Sequence, residues 1–341
     1  MNDVKFAVVG CGNIGKRHLA VIDAEPRAEI VATCDIIEER AKHYAELYEI
    51  PVYFTDYEKM LKETDAEIVA IATPHGLHAP MAIAAAKAGK HILVEKPMAL
   101  TSEDCHRMID AAKAHEVDLF VVKQNRYNKP IALTQQAIKE GKLGEVYMVQ
   151  CNVLWNRHAG YYGDSNWLGS RKLEGGALYT QVSHFIDLMV WWFGDVVETK
   201  TTMETKKQQV EIEDCGMAQL KFASGVLGNL VWTTTVYNKN YEGSITIVAE
   251  KGTIKIGGRY LNQIDFWDVQ SYPLPNNITF DDQPNRYGKY QGTSSNHDKV
   301  VSNVIAKLLH ERYDVVEGDE GIKSIEAIEL IYKDTPYGKR N

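Results

Sequence analysis

The sequence predicts an α/β protein: an N-terminal doubly wound parallel sheet, followed by an α+β domain with a large, mainly antiparallel open sheet. Three observations predict it. Residues 5–122 alternate short Val- and Ile-rich runs with helical patterns. The first of these runs ends in a glycine-rich turn that opens a helix. Beyond residue 125 the runs lengthen and alternate apolar with polar residues, as strands with one buried face do. A chain of 341 residues is also too long for one small core. The expected domains are 1–123 and 124–341.

In the first domain, strands are expected at 5–10, 29–34, 68–72, 91–94 and 118–122, with helices at 14–24, 37–48, 77–88 and 101–115. Near-continuous apolar strands joined by helices imply a parallel sheet covered on both faces. Thr55-x-x-Glu58 and Thr101-x-x-Asp104 read as capped helix starts. In the second domain a helix at 130–140 runs into Gly141-Lys142-Leu143-Gly144. Residues 145–155 then alternate, with Tyr147, Val149, Cys151, Val153 and Trp155 on one side and Val146, Met148, Gln150, Asn152 and Leu154 on the other. Further strands are expected at 217–223, 225–236, 244–249, 252–256 and 263–269. The polar stretch 276–295 reads as a long surface loop or lid, and helices at 296–311 and 321–333 close the chain. There is no internal repeat.

Composition narrows the function classes. An apolar fraction of 45% with 25% charged residues is ordinary for a globular protein. The net charge of −8, without a clustered Lys/Arg run, argues against nucleic acid as a partner. Cys11, Cys34, Cys105, Cys151 and Cys215 are scattered and odd in number, which fits free thiols in a reducing cytoplasm. No signal-peptide pattern leads the chain, and no apolar run approaches the roughly 20 residues of a membrane span. A soluble cytoplasmic protein is expected.

The chemistry begins at Gly10-Cys11-Gly12-Asn13-Ile14-Gly15, a G-x-G-x-x-G turn between the first strand and the first helix. The first glycine permits a tight turn, the second lets a pyrophosphate approach the backbone, and the third lets helix and strand pack closely. The helix N-terminus then faces the phosphates. Asp35 ends the second strand, 20 residues after Gly15. An acidic side chain there bonds the ribose hydroxyls and repels a 2′-phosphate, so NAD is expected rather than NADP; a bare helix cap is the alternative.

Thr73-Pro74-His75-Gly76-Leu77-His78 and Glu95-Lys96-Pro97 each follow a strand directly, and ligands of open α/β sheets sit at such strand ends. Two histidines without further ligands leave a zinc set incomplete, so no metal is expected. Lys96 beside a nicotinamide would lose proton affinity to the neighbouring cation and to desolvation, and would then bond or deprotonate a substrate hydroxyl. A solvated lysine is the plain alternative. In the run from Glu174 to Asp187, helical spacing lines up Gly176, Thr180, His184 and Asp187. That stripe is either a wall facing a polar ligand or a helix whose His and Asp satisfy each other.

With these clusters in order, the chain resembles the glucose-fructose oxidoreductase/inositol dehydrogenase/MocA family over essentially its whole length. The resemblance rests on the glycine loop with its trailing His18, the Thr-Pro loop, Glu95-Lys96-Pro97, and Gly175-Gly176 with His184 and Asp187. It implies a Rossmann domain, a C-terminal domain whose open sheet builds homodimers or homotetramers, and hydride exchange between NAD(P) and a sugar or polyol carbon. A narrower resemblance, to UDP-N-acetylglucosaminuronate 3-dehydrogenases of the WlbA type, reads on Val122-Lys123-Gln124-Asn125-Arg126, Trp155-x-Arg157, Tyr161-Tyr162, Trp167 and Glu242-Gly243-Ser244. Where many family members carry Asp and the WlbA type Asn, this chain has Thr180.

The resemblance implies Lys96 and His184 as catalytic residues, one taking the proton of the reacting hydroxyl. It implies NAD contacts from Gly10, Gly12, Asn13, Ile14, Asp35, Thr73, Pro74, His78, Glu95, Lys96 and Asn125. The substrate side would comprise Arg126, Arg157, Tyr161, Trp167, Thr180, Gln181, His184 and Tyr237, with Arg126, Arg157 and Tyr161 holding carboxylate or diphosphate. The expected activity is NAD-dependent oxidation of the C3 hydroxyl of a UDP-linked N-acetylhexosamine or its uronate, for surface polysaccharide. The alternatives are a redox-assisted glycosidase of the same fold, a dehydrogenase of another sugar or polyol, and a non-catalytic NAD-binding regulator.

Overall fold

Short strands that are apolar on both faces are stable only inside a sheet covered on both sides, and the computed structural model builds six of them into one parallel sheet. It describes residues 3–338 apart from 164, 276–277, 279, 281–285, 288–289 and 292–294. The chain divides into two units: Met1–Lys123 with Asn296–Ile325, and Gln124–Ser295 with Glu326–Asn341.

In the first unit, β1 (Val4–Val9), β2 (Ala28–Cys34), β3 (Val52–Phe54), β4 (Ile68–Ile71), β5 (His91–Val94) and β6 (Leu119–Val121) alternate with α1 (Asn13–Asp23), α2 (Glu38–Leu47), α3 (Tyr57–Glu63), α4 (His78–Lys87) and α5 (Ser102–Ala114). The strand order β3-β2-β1-β4-β5-β6 reverses direction between β1 and β4, which makes that junction the ligand-binding edge of a doubly wound sheet. All four residues of β4 are fully buried. The Thr101 hydroxyl caps α5 by accepting the Asp104 N–H at 3.0 Å. The other expected cap shifts by one residue: Asp56, not Thr55, accepts the Lys59 N–H at 2.9 Å. β3 is absent from the sequence reading. It is a three-residue edge strand with two exposed side chains, too short for any periodicity to register.

The second unit opens with a 3₁₀ turn (Gln124–Tyr127), α6 (Lys129–Lys139), β7 (Val146–Leu154) and the short α7 (Ala159–Gly163). A π turn (Leu178–Val182) leads into α8 (Ser183–Phe193). Then come β8 (Val196–Glu204), β9 (Cys215–Phe222), β10 (Leu227–Thr233), β11 (Glu242–Ala249), β12 (Gly252–Gly257) and β13 (Gln263–Val269). These form a seven-stranded sheet ordered β13-β12-β11-β7-β10-β9-β8, antiparallel except for the parallel pair of β7 with β10. The alternation read in β7 holds from Val149 on, with Val149, Cys151, Val153 and Trp155 buried, whereas Tyr147 of the same side is 49% exposed. β8 also escaped the sequence reading, and it too is an edge strand, with Met203 its only buried residue.

Most of the stretch expected to be a loop or lid lies outside the described residues; inside it, β14 (Arg286–Tyr287) pairs with β15 (Tyr290–Gln291). The chain ends with α9 (His297–Leu308), α10 (Gly318–Gly321) and α11 (Lys323–Tyr332). The expected boundary gave all of 124–341 to the second domain, whereas α9 and α10 belong to the first unit. The cause is where their apolar faces go. Val300, Val301, Val304 and Ile305 of α9 are buried on a helix that packs with α1, and the Val121 N–H of β6 donates to the Val316 carbonyl at 2.9 Å. Among the described residues, no helix is long and apolar enough to cross a membrane.

Candidate active site

Within the first unit, the loops that follow β1, β4 and β5 stand side by side because those strands are neighbours. The three glycines after β1 are required for different reasons. Gly10 has φ +87°, and a Cβ there would lie 2.5 Å from the Ala72 carbonyl oxygen. A Cβ on Gly15 would lie 1.7 Å from the Gly10 oxygen. Gly12 has an ordinary φ of −79° and no atom of the described residues within 4 Å of a built Cβ, so none of those residues demands glycine there. A ligand approaching the backbone does. The α1 N-terminus beside it has no side-chain cap and no acidic residue in its first turn, leaving its N–H groups and dipole for an anion. Exposed Asn13 and half-buried Ile14 open that helix. The residues present fit a dinucleotide pyrophosphate.

Asp35 is buried at the end of β2 and braces this loop. Its Oδ2 accepts the Cys11 N–H at 2.8 Å, and its Oδ1 accepts the Ile37 N–H at 2.8 Å. It therefore ties the glycine turn to the entrance of α2, more than the simple helix cap weighed against cofactor contact. Burial, then the Asp35 charge, pushes the thiols of Cys11 and Cys34 up to about 12.

After β4, Thr73 and Pro74 are half-buried at the sheet edge. His78 was expected among the cofactor contacts, but it is wholly buried. Its Nδ1 lies 2.8 Å from the Pro97 carbonyl and its Nε2 lies 2.9 Å from the Thr73 carbonyl. Burial pushes its pKa down, against the pull of these two carbonyls. His78 links the two strand-end loops and presents no surface to a ligand. Glu95 is 4% exposed, and its carboxylate bonds His18, His297 and the Lys96 N–H. Lys96 is half-buried, and its peptide bond to Pro97 is cis.

In the second unit, Asn125 is 2% exposed, and neither atom of its side-chain amide has a hydrogen-bond partner among the described residues. Leaving both unbonded costs free energy unless a ligand or water bonds them, so Asn125 keeps its place among the contact candidates. Arg126 does not. Its Nε and Nη2 form a bidentate pair with Asp187 at 2.8 and 3.0 Å, and its guanidinium lies 4.6 Å from the Trp191 ring centroid. The fork that would grip a substrate anion already grips a carboxylate. Arg157 is 4% exposed and is likewise built in. It donates to the Asn156 carbonyl at 2.7 Å and to Asn240 at 3.2 Å, with its guanidinium against the Trp155 and Tyr161 rings.

The stripe drawn from Gly176 to Asp187 does not survive as one helical face. Gly175 and Gly176 have φ of +92° and +148°, and the following residues form a π turn before α8 begins. A π turn carries more residues per turn than an α-helix, so offsets of four cross faces rather than following one. Thr180 sits inside that turn, its hydroxyl donating to the Gly176 carbonyl at 3.3 Å. Gln181 donates to the Tyr161 hydroxyl at 3.0 Å. His184 lies in the first turn of α8 and is 6% exposed. Trp167 is half-buried, whereas Tyr237 is 90% exposed.

Two features had no sequence signal. Beneath the π turn, the Glu213 Oε1 accepts from the Tyr332 hydroxyl at 2.6 Å and from the Leu178 N–H at 3.1 Å. A Cβ on Gly176 would lie 2.0 Å from that Tyr332 oxygen. Burial raises the Glu213 carboxyl to about 7, against the pull of those hydrogen bonds and with a smaller push from Glu174. In the first unit, His297 joins His18 and Glu95 in a buried cluster.

Residues 4–123 match GFO_IDH_MocA, described as an oxidoreductase family with an NAD-binding Rossmann fold, and residues 131–255 match the GFO/IDH/MocA C-terminal domain. A WlbA dehydrogenase from Bordetella pertussis, in complex with NADH and UDP-GlcNAcA, superposes with a TM-score of 0.89 at 36% identity, covering 97% of this chain and 96% of that one. Levoglucosan dehydrogenase of Pseudarthrobacter phenanthrenivorans is 27% identical over 286 residues, 74% of this chain and 73% of that protein. Inositol 2-dehydrogenase of Salmonella typhimurium is 27% identical over 259 residues, 74% of each. With the glycine loop, Asp35 and Lys96 all in place at the carboxyl ends of the sheet's strands, the chain belongs to the GFO/IDH/MocA oxidoreductase family and is an NAD-dependent oxidoreductase.

Proposed function

We propose that this protein oxidises the C3 hydroxyl of a UDP-linked N-acetylhexosamine or its uronate, in making sugars for surface polysaccharide. The observation that carries this reading is the likeness, over nearly the whole chain, to a dehydrogenase crystallised with NADH and UDP-GlcNAcA. When bound, NAD supplies the hydride acceptor. Lys96 bonds the reacting hydroxyl and His184 takes its proton, directly or by relay, as the carbon gives up its hydrogen with the bonding pair and becomes a ketone. Base help of this kind contributes roughly 10²–10⁴-fold. The Asn125 amide, the Thr180 hydroxyl and the Gln181–Tyr161 pair supply polar contacts to cofactor and sugar.

The open face of the seven-stranded sheet carries Met148, Met217 and Leu227, which are 43%, 58% and 58% exposed. Such a face supports a homodimer or homotetramer built through the sheet. None of the five cysteines is joined in a disulfide, which fits a reducing cytoplasm.

A second reading, oxidation of a sugar or polyol that carries no diphosphate, is favoured by one observation. Arg126 and Arg157, the candidate anion holders, are committed to protein groups. Absorbance at 340 nm with NAD and UDP-N-acetylglucosaminuronate, UDP-N-acetylglucosamine, levoglucosan or inositol separates the two. The proposal expects NADH with a UDP-sugar only, and NADH with inositol or levoglucosan alone would replace it by the second reading.

A further inference from the structure

Three side chains without a part in the chemistry above meet inside the first unit. They are His18 of α1, Glu95 at the end of β5, and His297 at the start of α9, and they are 1%, 4% and 0% exposed. The Glu95 Oε1 lies 2.8 Å from the His18 Nε2 and 3.2 Å from the His297 Nε2. The other oxygen, Oε2, accepts the Lys96 backbone N–H at 3.1 Å. The two rings meet edge to face, centroids 5.5 Å apart at 86°, so both nitrogens reach one oxygen without the rings colliding.

The protonation states follow from who can donate. A carboxylate only accepts, so each imidazole presents Nε2–H to it. Neither Nδ1 has a partner among the described residues. On His297 a proton there would bury a positive charge with no acceptor on that side, which disfavours the charged ring. Burial pushes the His297 pKa down in agreement, against the pull of Glu95. Burial also opposes ionisation of Glu95, but the His18 and His297 bonds prevail and hold it well below the usual carboxylate range. The cluster is a fixed carboxylate with two fixed donors.

We propose that His18 and His297 are positioning residues for Lys96: by donating to one oxygen of Glu95 they fix its carboxylate, and the other oxygen then holds the Lys96 backbone. The trailing histidine of the glycine helix and a histidine 202 residues beyond Glu95 thereby set how Lys96 leaves the strand end. This rests on the assignment of Lys96 to the reacting hydroxyl. It also gives α9 a reason to return to the first unit. The same three atoms lie within 4.8 Å of one another and would serve as a metal's ligands, which the test separates.

A glutamine places an N–H near the position of a histidine Nε2–H but cannot ligate a metal as imidazole does, and leucine offers no donor. In full-length, NAD-bound protein, the paired substitution His18→Gln with His297→Gln should keep kcat within about threefold of wild type, because both donors remain. The pair His18→Leu with His297→Leu should lower kcat by roughly 10²-fold with KM unchanged, the cost of a displaced reacting group. Hydrogen exchange at the Lys96 amide should quicken by about tenfold in the Leu pair alone, with the Val94 amide as the unchanged control.

A Gln pair as slow as the Leu pair, a Leu pair with wild-type kcat, or a stoichiometric metal lost on Glu95→Gln would overturn the proposal. Should the Leu pair fail to fold, the Gln pair decides alone. If wild type oxidises none of the sugars tested, the reading of function falls, and Lys96 exchange still judges the clamp.

Discussion

The two units assemble their candidate sites by different means. In the first, backbone does most of the work: Gly10 and Gly15 are forced by close approach, Gly12 leaves the chain open, and the loops fall together because β1, β4 and β5 are neighbours. In the second, side chains line the site, and many are already spent on one another. Arg126 holds Asp187, Arg157 holds Asn156 and Asn240, Gln181 holds Tyr161, and Tyr332 holds Glu213. A backbone site follows from residue order. A side-chain site depends on helical phase and on partners far away in sequence.

The sharpest way to break this contrast is at Lys96, which the account places on the reacting hydroxyl. Lys96→Ala should lower kcat by roughly 10²–10⁴-fold while NAD binding, followed by cofactor fluorescence, stays near wild type. A loss confined to KM would move Lys96 from chemistry to binding. Arg126→Ala should act instead on stability. Removing one partner of a buried ion pair costs about 3–5 kcal/mol, read as a lower urea midpoint. Unchanged stability with a raised sugar KM would return Arg126 to the substrate.

Glu213 offers a pH signature. Its carboxyl is raised from 4.5 to about 7 in the folded protein, so the folded state holds the proton more tightly than the unfolded chain does. Its stabilising contribution is complete below pH 4.5 and is lost as pH rises through 7. Glu213→Gln keeps an acceptor for Tyr332 and Leu178 without the charge. It should therefore be more stable than wild type at pH 8, by on the order of 3 kcal/mol, and equal to it near pH 4. A difference that does not change with pH would mean that ionisation of Glu213 is not the cause. The smallest effect belongs to Gly12. Gly12→Ala should weaken NAD binding by about tenfold with no change in Tm, whereas Gly15→Ala should lower Tm because its Cβ has no room.

The same contrast explains what could be read from residues alone. The first unit was legible because glycine spacing and strand-end position are local properties, and β1, β2, β4, β5 and β6 carry continuous apolar runs. The two strands missed in the large sheets, β3 and β8, are edges, where few side chains are buried and no pattern is imposed. In the second unit, the residues of the expected stripe were named, but their common face was lost to the π turn and the two glycines before α8. His78, Glu95 and Arg126 were drawn from motifs as contacts and prove to be braces. Their partners, Pro97 and Thr73, His18 and His297, and Asp187, are set by the fold. Nothing around His297 or Glu213 marks them in sequence, because a single histidine or glutamate has no period.

The central claim is hydride removal from the sugar C3. It is tested most directly by incubating the protein with NAD and UDP-N-acetylglucosaminuronate deuterated at C3 and analysing the NADH by mass spectrometry. One deuterium per NADH, with a slower rate than for the unlabelled sugar, is the predicted result. NADH without deuterium would show that the hydride leaves another carbon and would contradict the account.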